Sequence, residues 1–335
     1  MARAVFFSLG GGLGHLNRSL AIIRQLRREA PHLEPLVITN SPFCHLALSA
    51  GVPVLRLPSH FEQELLAQPE LSQQLTLAAL DVLSPIDVLI VDAYPEQLVP
   101  RLLQFIQRGR FLKVFVHRDE RADLDDRLEA FHLIFHPYPA GASPERYQAC
   151  GYIVSRQQQD VLTRPQARLR LGLAPEGEEP VILAFHAGSP AETMALFRQV
   201  RGASERLGLG HSLRLSTPQI LPGVEYFYPH LVSLYPIMDV LEAADLVLCA
   251  GGYNAFAEVG SLGNRTLFRP LERAFDRQRG RTLGWPTFEA ATSDVALAEL
   301  MQAALAGPAP KRGNPQDYRG AEVMASAIAN AMAVV

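Results

Sequence analysis

The chain has 335 residues, 48% hydrophobic and 19% charged, and its 31 basic and 34 acidic side chains give a formal net charge of -3. That composition is ordinary for a globular protein and excludes wholesale disorder or a fibre, and the length suits about two domains at roughly 150 residues each. There is no global basic field for nucleic acid, and no apolar run approaches the ~18 residues of a membrane-spanning helix.

Short apolar runs alternate with amphipathic stretches from the start. Residues 4–8 (AVFFS) read as a buried strand, residues 10–14 as a glycine loop, and residues 15–29 as a helix with Leu16, Leu20, Ile23 and Leu26 at helical spacing. Strands follow at 35–39, 53–57, 86–91, 111–116 and 133–135, and helices at 42–50, 61–80 (with Pro69 a break) and 96–107. A polar, Pro/Gly-rich stretch places a linker near 150–165. Beyond it strands are predicted at 180–185, 212–215, 231–234, 246–249 and 265–269. Helices are predicted at 191–207, 236–243, 254–262 and 319–332. Strand–helix alternation of this kind implies parallel sheets with helices on both faces. The expected architecture is α/β, two doubly wound, Rossmann-like parallel-sheet domains facing across a cleft. The expected divisions are an amino-terminal domain over 1–158, a carboxyl-terminal domain over 159–316, and a last helix in 317–335 that crosses back to the first domain.

Cys44, Cys150 and Cys249 lie far apart without CxxC spacing, so neither a disulfide framework nor a zinc site is expected, and the default compartment is the reducing cytoplasm. The pair Asp123-x-Asp125 has the bare pattern of a metal site but sits in a charged polar run with no preceding strand. A solvated face is its first reading. Arg24, Arg27 and Arg28 form a basic stripe, read first as a solvated helix face and second as a contact for anionic lipid or an acidic acceptor.

In open parallel sheets, ligands sit at the carboxyl ends of strands beside helix N-termini. Gly10-Gly11-Gly12-Leu13-Gly14-His15 has that address. Glycines let the backbone approach a ligand, and the helix start offers free N–H groups. The spacing is not GxGxxG and no acid closes the second strand, so a dinucleotide site is not expected. His15, in the first helical turn, is either a neutral imidazole poised as a base or a polar residue bonded to its loop. Asp92, after the strand at 86–91, either orients His15 or caps a turn before Pro95. His117 shares the address without an assigned role. In the second half, Gly188 and Ser189, and Gly251 and Gly252 ahead of Asn254, are glycine loops that open helices and suit an anion. Glu258, one turn past Asn254, suits a ribose diol or is a locally paired helix carboxylate. Asp276 and Gln278 follow the strand at 265–269.

Together, residues 10–22 (GGGLGHLNRSLAI), 235–270 (YPIMDVLEAADLVLCAGGYNAFAEVGSLGNRTLFRP) and 275–278 (FDRQ) resemble the GT-B nucleotide-sugar glycosyltransferases, above all the MurG-type and natural-product branch. The resemblance implies a donor held mainly by the carboxyl-terminal domain. Tyr235 to Ile237 would line the base, Gly188, Ser189, Gly251 and Gly252 the diphosphate, Glu258 the ribose, and Asp276 and Gln278 the transferred sugar. His15 would be the base, supported by Asp92, with Gly11, Gly12, Gly14 and His117 facing the cleft. It also implies no bound metal and no cofactor, with a UDP- or dTDP-sugar as co-substrate and a hydroxyl acceptor. The expected reaction is an inverting glycosyl transfer. A nucleotide-sugar hydrolase or epimerase-like relative, and a non-catalytic nucleotide-binding homologue, are the alternatives. Two departures bear on the donor: His186-Ala187-Gly188-Ser189 is poorer in glycine than the family's loop, and Arg279 and Thr282 replace the amides expected after Gln278.

Overall fold

The computed structural model describes residues 2–10, 12–57, 69–92, 100–118, 128–142, 147–273 and 276–333. Gly11, Asp123 and Asp125 fall outside these ranges, as do the first parts of the helices predicted over 61–80 and 96–107. The chain forms two compact units, Met1–Val154 with Arg319–Val335, and Ser155–Tyr318.

The first unit holds a seven-stranded sheet in the order β3-β2-β1-β4-β5-β6-β7, parallel at every pairing. Its strands are β1 (Ala2–Ser8), β2 (Leu33–Thr39), β3 (Val54–Arg56), β4 (Val88–Val91), β5 (Leu112–Val116), β6 (Leu133–His136) and β7 (Gln148–Ala149). Central strands of such a sheet are covered on both faces, and β4 (VLIV) is buried at every position. One face packs Val5, Phe7, Ile38, Leu89, Val91 and Phe115 into a single core. Among the described residues the first unit's helices before the second unit are α1 (Gly14–Glu29), α2 (Cys44–Ser49), α3 (Pro69–Val82) and α4 (Pro100–Arg108).

Helix α1 is buried more widely than its apolar stripe predicts, with Asn17, Arg18, Ser19 and Gln25 enclosed beside Leu16, Leu20 and Ile23. Ser19 and Arg18 are hydrogen-bonded to Ser8 of β1 and to Asp92 after β4, and a second layer also packs on the helix. The last helix of the chain (Gly320–Ala333) packs against α1 and buries its own Ala321, Met324, Ala325 and Ile328. Gly320 allows the close approach that starts this helix, because a Cβ there would lie 2.5 Å from the Gly151 carbonyl oxygen. Arg27 is accounted for within the fold: its guanidinium donates to the carbonyls of Ala50 (2.9 Å) and Gly51 (2.6 Å), closing the end of α2.

The second unit holds a five-stranded sheet in the order β10-β9-β8-β11-β12, again all parallel. The strands are β8 (Ile182–Phe185), β9 (Leu213–Ser216), β10 (Leu231–Val232), β11 (Leu246–Cys249) and β12 (Thr266–Phe268). Its helices are α5 (Arg164–Arg170), α6 (Pro190–Arg206), α7 (Tyr253–Leu262), α8 (Gln278–Arg281) and α9 (Asp294–Ala306), which makes the helix over Gly320–Ala333 α10. Ile182, Ala184, Phe197, Leu213, Leu246, Leu248 and Met301 share one core.

Several elements differ from expectation. The helix predicted over 236–243 is a 3₁₀ helix, Ile237–Ala243, whose Leu241 carbonyl accepts both the Ala244 N–H (3.1 Å) and the side-chain amide of Asn264 (2.9 Å). Helices α5, α8 and α9 and strand β7 were not anticipated. α9 is Ala- and Leu-rich with few buried positions, so its signal is propensity and the Ser293 cap rather than a stripe.

Candidate functional site

In the first unit, neighbouring strands β1 and β4 (Phe7 opposite Val91) deliver their following loops to one edge of the sheet. His15 lies in the first turn of α1 and Asp92 directly follows β4. His15 Nδ1 is 3.1 Å from Asp92 Oδ1. Arg18, one turn along α1, completes the group: its Nε donates to Asp92 Oδ2 (3.0 Å) and its Nη2 to Asp92 Oδ1 (2.7 Å). Nη2 is also 2.9 Å from His15 Nδ1. Asp92 accepts and Arg18 donates, so the two contacts at Nδ1 belong to different tautomers. With the proton on Nδ1, it donates to Asp92 and leaves the Nε2 lone pair available. With the proton on Nε2, Nδ1 accepts from Arg18.

The electrostatics keep the pair unequal. Asp92 and Arg18 are each 1% exposed. Burial pushes the Asp92 carboxyl up, but Arg18 and then His15 outweigh it and hold it well below the usual carboxylate range. His15 moves down: burial is the largest cause, Asp92 opposes it, and Arg18 and Arg118 add to it. The imidazole is therefore neutral at pH 7 beside an ionised carboxylate. The loop is shaped around that ring, because a Cβ on Gly10 would fall 2.2 Å from His15 Cδ2. The Gly10 N–H donates to Asn40 Oδ1 (2.7 Å), and Gly12, with open space around its Cα, donates to the Gly10 carbonyl (2.8 Å). Gly14 opens α1 itself. His117 is buried, its ring stacked on Tyr147 (centroids 4.7 Å apart) and beside His136. Gly11 lies outside the described residues.

In the second unit the expected residues gather in three groups at the carboxyl edge. Gly188 and Ser189 follow β8 and open α6, where Ser189 and Glu192 form a reciprocal capping box. Gly251 and Gly252 follow β11, and a Cβ on Gly251 would lie 2.6 Å from Thr282 Cγ2, so glycine there serves close packing on α8. Gln278 Nε2 donates to Asp276 Oδ2 (3.0 Å), its Oε1 accepts from the Leu271 N–H (3.0 Å), and Arg281 donates to both Asp276 Oδ1 (2.7 Å) and the Gly251 carbonyl (2.8 Å). Glu258, on α7 with half-buried Asn254, is itself buried and accepts the Ser155 N–H at 3.2 Å. Tyr235 and Ile237 are half-buried, and burial, then the Glu258 charge, push the Tyr235 phenol up. Beside them Arg156 holds Asp239 through two bonds (2.7 and 3.2 Å). Among the described residues no three His, Cys, Asp or Glu side chains converge as a metal site.

No protein-family model matches the chain, and no curated protein matches it by sequence. Solved structures do. MurG of Acinetobacter baumannii aligns over 100% of this chain and 99% of its own at 15% identity, TM-score 0.54. The fold is that of the GT-B glycosyltransferases. Spinosyn rhamnosyltransferase SpnG complexed with thymidine diphosphate shares this GT-B fold over 99% and 96% of the two chains, at 15% identity and TM-score 0.56. A putative UDP-N-acetylglucosamine 2-epimerase from Listeria monocytogenes covers 100% and 98%, at 15% identity and TM-score 0.58. The GT-B likeness of fold extends over 99–100% of this chain at 15% sequence identity. Arg18, Arg281 and Glu192 were missed in the sequence. Arg18 and Arg281 stand three residues after His15 and Gln278, one helical turn, and Glu192 stands three after Ser189 in the S-x-x-E capping pattern.

Proposed function

We propose that the chain transfers a sugar from a nucleoside diphosphate sugar to a hydroxyl acceptor, with inversion and without a metal. The observation that carries this reading is the His15–Asp92–Arg18 group on a GT-B fold: a neutral imidazole one bond from an ionised, buried carboxylate. With its Nδ1 proton donated to Asp92, His15 takes the acceptor's hydroxyl proton on Nε2. The acceptor oxygen attacks the anomeric carbon in line, the bond from that carbon to the phosphate oxygen breaks, and the nucleoside diphosphate leaves with the electron pair. Asp92 stabilises the imidazolium formed, as in triad logic. Arg18 anchors Asp92 and limits how far the carboxylate raises the His15 basicity.

The second unit takes the donor in this scheme. Tyr235 to Ile237 receive the base, the loops at Gly188–Ser189 and Gly251–Gly252 the diphosphate, Asn254 and Glu258 the ribose side, and Asp276 and Gln278 the sugar. The donor is a UDP- or dTDP-sugar. The chain acts in the cytoplasm, takes up no nucleic acid, and contains no described helix long and apolar enough to cross a membrane.

The test is nucleotide release from a panel of nucleotide sugars, with and without alcohol acceptors. Release that requires acceptor, with His15→Ala lowering turnover about 10²–10⁴-fold at unchanged nucleotide affinity, supports the transfer. A second reading, hydrolysis or epimerisation of the nucleotide sugar, is favoured by the epimerase on the same fold. Stoichiometric sugar loss or isomerisation without acceptor would select it. Binding without turnover across the panel would select a non-catalytic role.

A further inference from the structure

Glu192 and Arg269, both at the carboxyl edge of the second sheet, take no part in the scheme above. Glu192 is the third residue of α6, and its carboxylate is turned back over the loop that precedes the helix. Oε2 accepts the Ser189 N–H (2.9 Å) and a bond from Arg273 Nη2 (2.8 Å), and lies 3.7 Å from His186 Nε2. Oε1 accepts from Arg273 Nη1 (2.7 Å). A Cβ on Gly188 would fall 2.6 Å from Oε2, so the carboxylate rests directly on the Gly188 backbone. A helix N-terminus, a guanidinium fork and an imidazole around one carboxylate form a complete oxyanion cradle. A capping box explains the bond to Ser189 but neither the fork from Arg273 nor the position of His186. His186 and Arg273 also hold the Glu192 carboxyl well below the usual range, so the occupant stays anionic.

Arg269 is the second observation. It directly follows β12 and is 8% exposed. Its Nε is enclosed without a hydrogen-bond partner, and among the described residues its guanidinium makes neither a hydrogen bond nor an ion pair within 4 Å. The carboxylates of Glu192 and Glu289 act on its charge and oppose the effect of burial. An enclosed N–H of a guanidinium left without a partner is unfavourable unless a ligand supplies one. Arg273, by contrast, is already taken by Glu192.

We infer that this edge is a ligand oxyanion site which the empty protein fills with its own Glu192 carboxylate, and that an arriving phosphate or carboxylate group displaces Glu192 and pairs with Arg269. The site needs only an oxyanion. Its assignment to the diphosphate of a donor rests on the reading proposed above, and a carboxylate on the transferred sugar is the other source of the same chemistry.

The experiment is titration calorimetry on the full chain at low salt with inorganic pyrophosphate and, separately, glucuronate, using wild type, R269Q, R269K and E192Q. Pyrophosphate binding that weakens about tenfold or more in R269Q, less in R269K, and tightens several-fold in E192Q is the expected result. Glucuronate binding with the same dependence, and none for pyrophosphate, keeps the site but assigns the sugar carboxylate. Wild-type affinity in R269Q, weaker binding in E192Q, or no binding of either anion at millimolar concentration overturns the inference. Unfolding midpoints of the four proteins separate a lost contact from a lost fold. Absence of glycosyl transfer with Arg269-dependent pyrophosphate binding intact would refute the transfer reading alone. Transfer by R269Q at the wild-type KM would refute this inference alone.

Discussion

Replacing Arg18 by methionine tests the electrostatic design of the first unit. The substitution keeps bulk but removes both bonds to Asp92, at 2.7 and 3.0 Å, from a pair in which each residue is 1% exposed. Breaking a buried pair on one side typically costs about 3–5 kcal/mol because the remaining charge is left uncompensated. Here His15 can take over. In the wild type its pKa lies below 6.5, so the unfolded chain binds the proton first and His15 lowers stability as pH falls. Without Arg18 one of the causes that lower the His15 pKa is gone, so the pKa rises from its wild-type position while burial and Arg118 still oppose Asp92. The penalty that His15 places on folding at low pH is then smaller than in the wild type. The cost of R18M should therefore be the full ~3–5 kcal/mol at pH 8 and smaller by roughly 1–2 kcal/mol at pH 6. At about 2–4 °C per kcal/mol for a unit of this size, the midpoint falls by roughly 6–20 °C at pH 8. Thermal unfolding at both pH values, with an NMR titration of His15, reads this directly. An equal loss at pH 6 and pH 8, or a His15 pKa no higher in the variant than in the wild type, would refute the reasoning.

Gly10→Ala places a methyl group where His15 Cδ2 stands, 2.2 Å away, so the ring must turn from Asp92. Turnover should fall by about 10²-fold, and the unfolding midpoint should drop as well because Gly10 holds a φ of 155° that alanine rarely adopts; wild-type turnover would show that the ring has room to spare. For Glu258, calorimetry should show nucleoside diphosphate binding weakened by about 1.5–3 kcal/mol in E258Q. The Gln oxygen still accepts the Ser155 N–H, so its midpoint should hold. A preserved Kd in E258Q, with a lowered midpoint only in E258A, would make Glu258 purely structural. His136 sits beside His117, and burial is the main cause that brings its pKa down from 6.5 to about 4. The unfolded chain protonates first, so stability should decline as pH drops from about 6.5 toward 4, by about 1–2 kcal/mol after screening. The H136F variant should lack that decline, and an identical acid profile would remove His136 as its source.

The buried strands and the loops after them were legible because parallel strands are apolar almost throughout, as in β4 and β11, and because glycines mark where each strand passes into a helix. His15 and Asp92 could both be placed at strand ends, but only the adjacency of β1 and β4 brings them within a hydrogen bond. Arg18 was hidden in plain view. It belongs to the same helix as Arg24, Arg27 and Arg28, and only the fold, which sets Asp92 at the end of β4 against it, turns that position into an interior. Glu192 and Arg269 were unreadable for a related reason. A carboxylate in a first helical turn and an arginine after a strand are ordinary in a sequence, and their meaning lies in which partners they have. The same holds for Arg281, whose bonds to Asp276 and to the Gly251 carbonyl join segments thirty residues apart.

The helix over Gly320–Ala333 belongs to the first unit although the whole of Ser155–Tyr318 is made before it. Synthesis therefore runs against the usual order in which the leading domain closes first. The middle of the polypeptide is one unbroken stretch and can finish its sheet while the ribosome is still at work. The opening segment must wait, with the flank of α1 uncovered, until the closing residues emerge. A nascent chain stalled near residue 318 would hold a mature rear half and a front half that still lacks its closing helix.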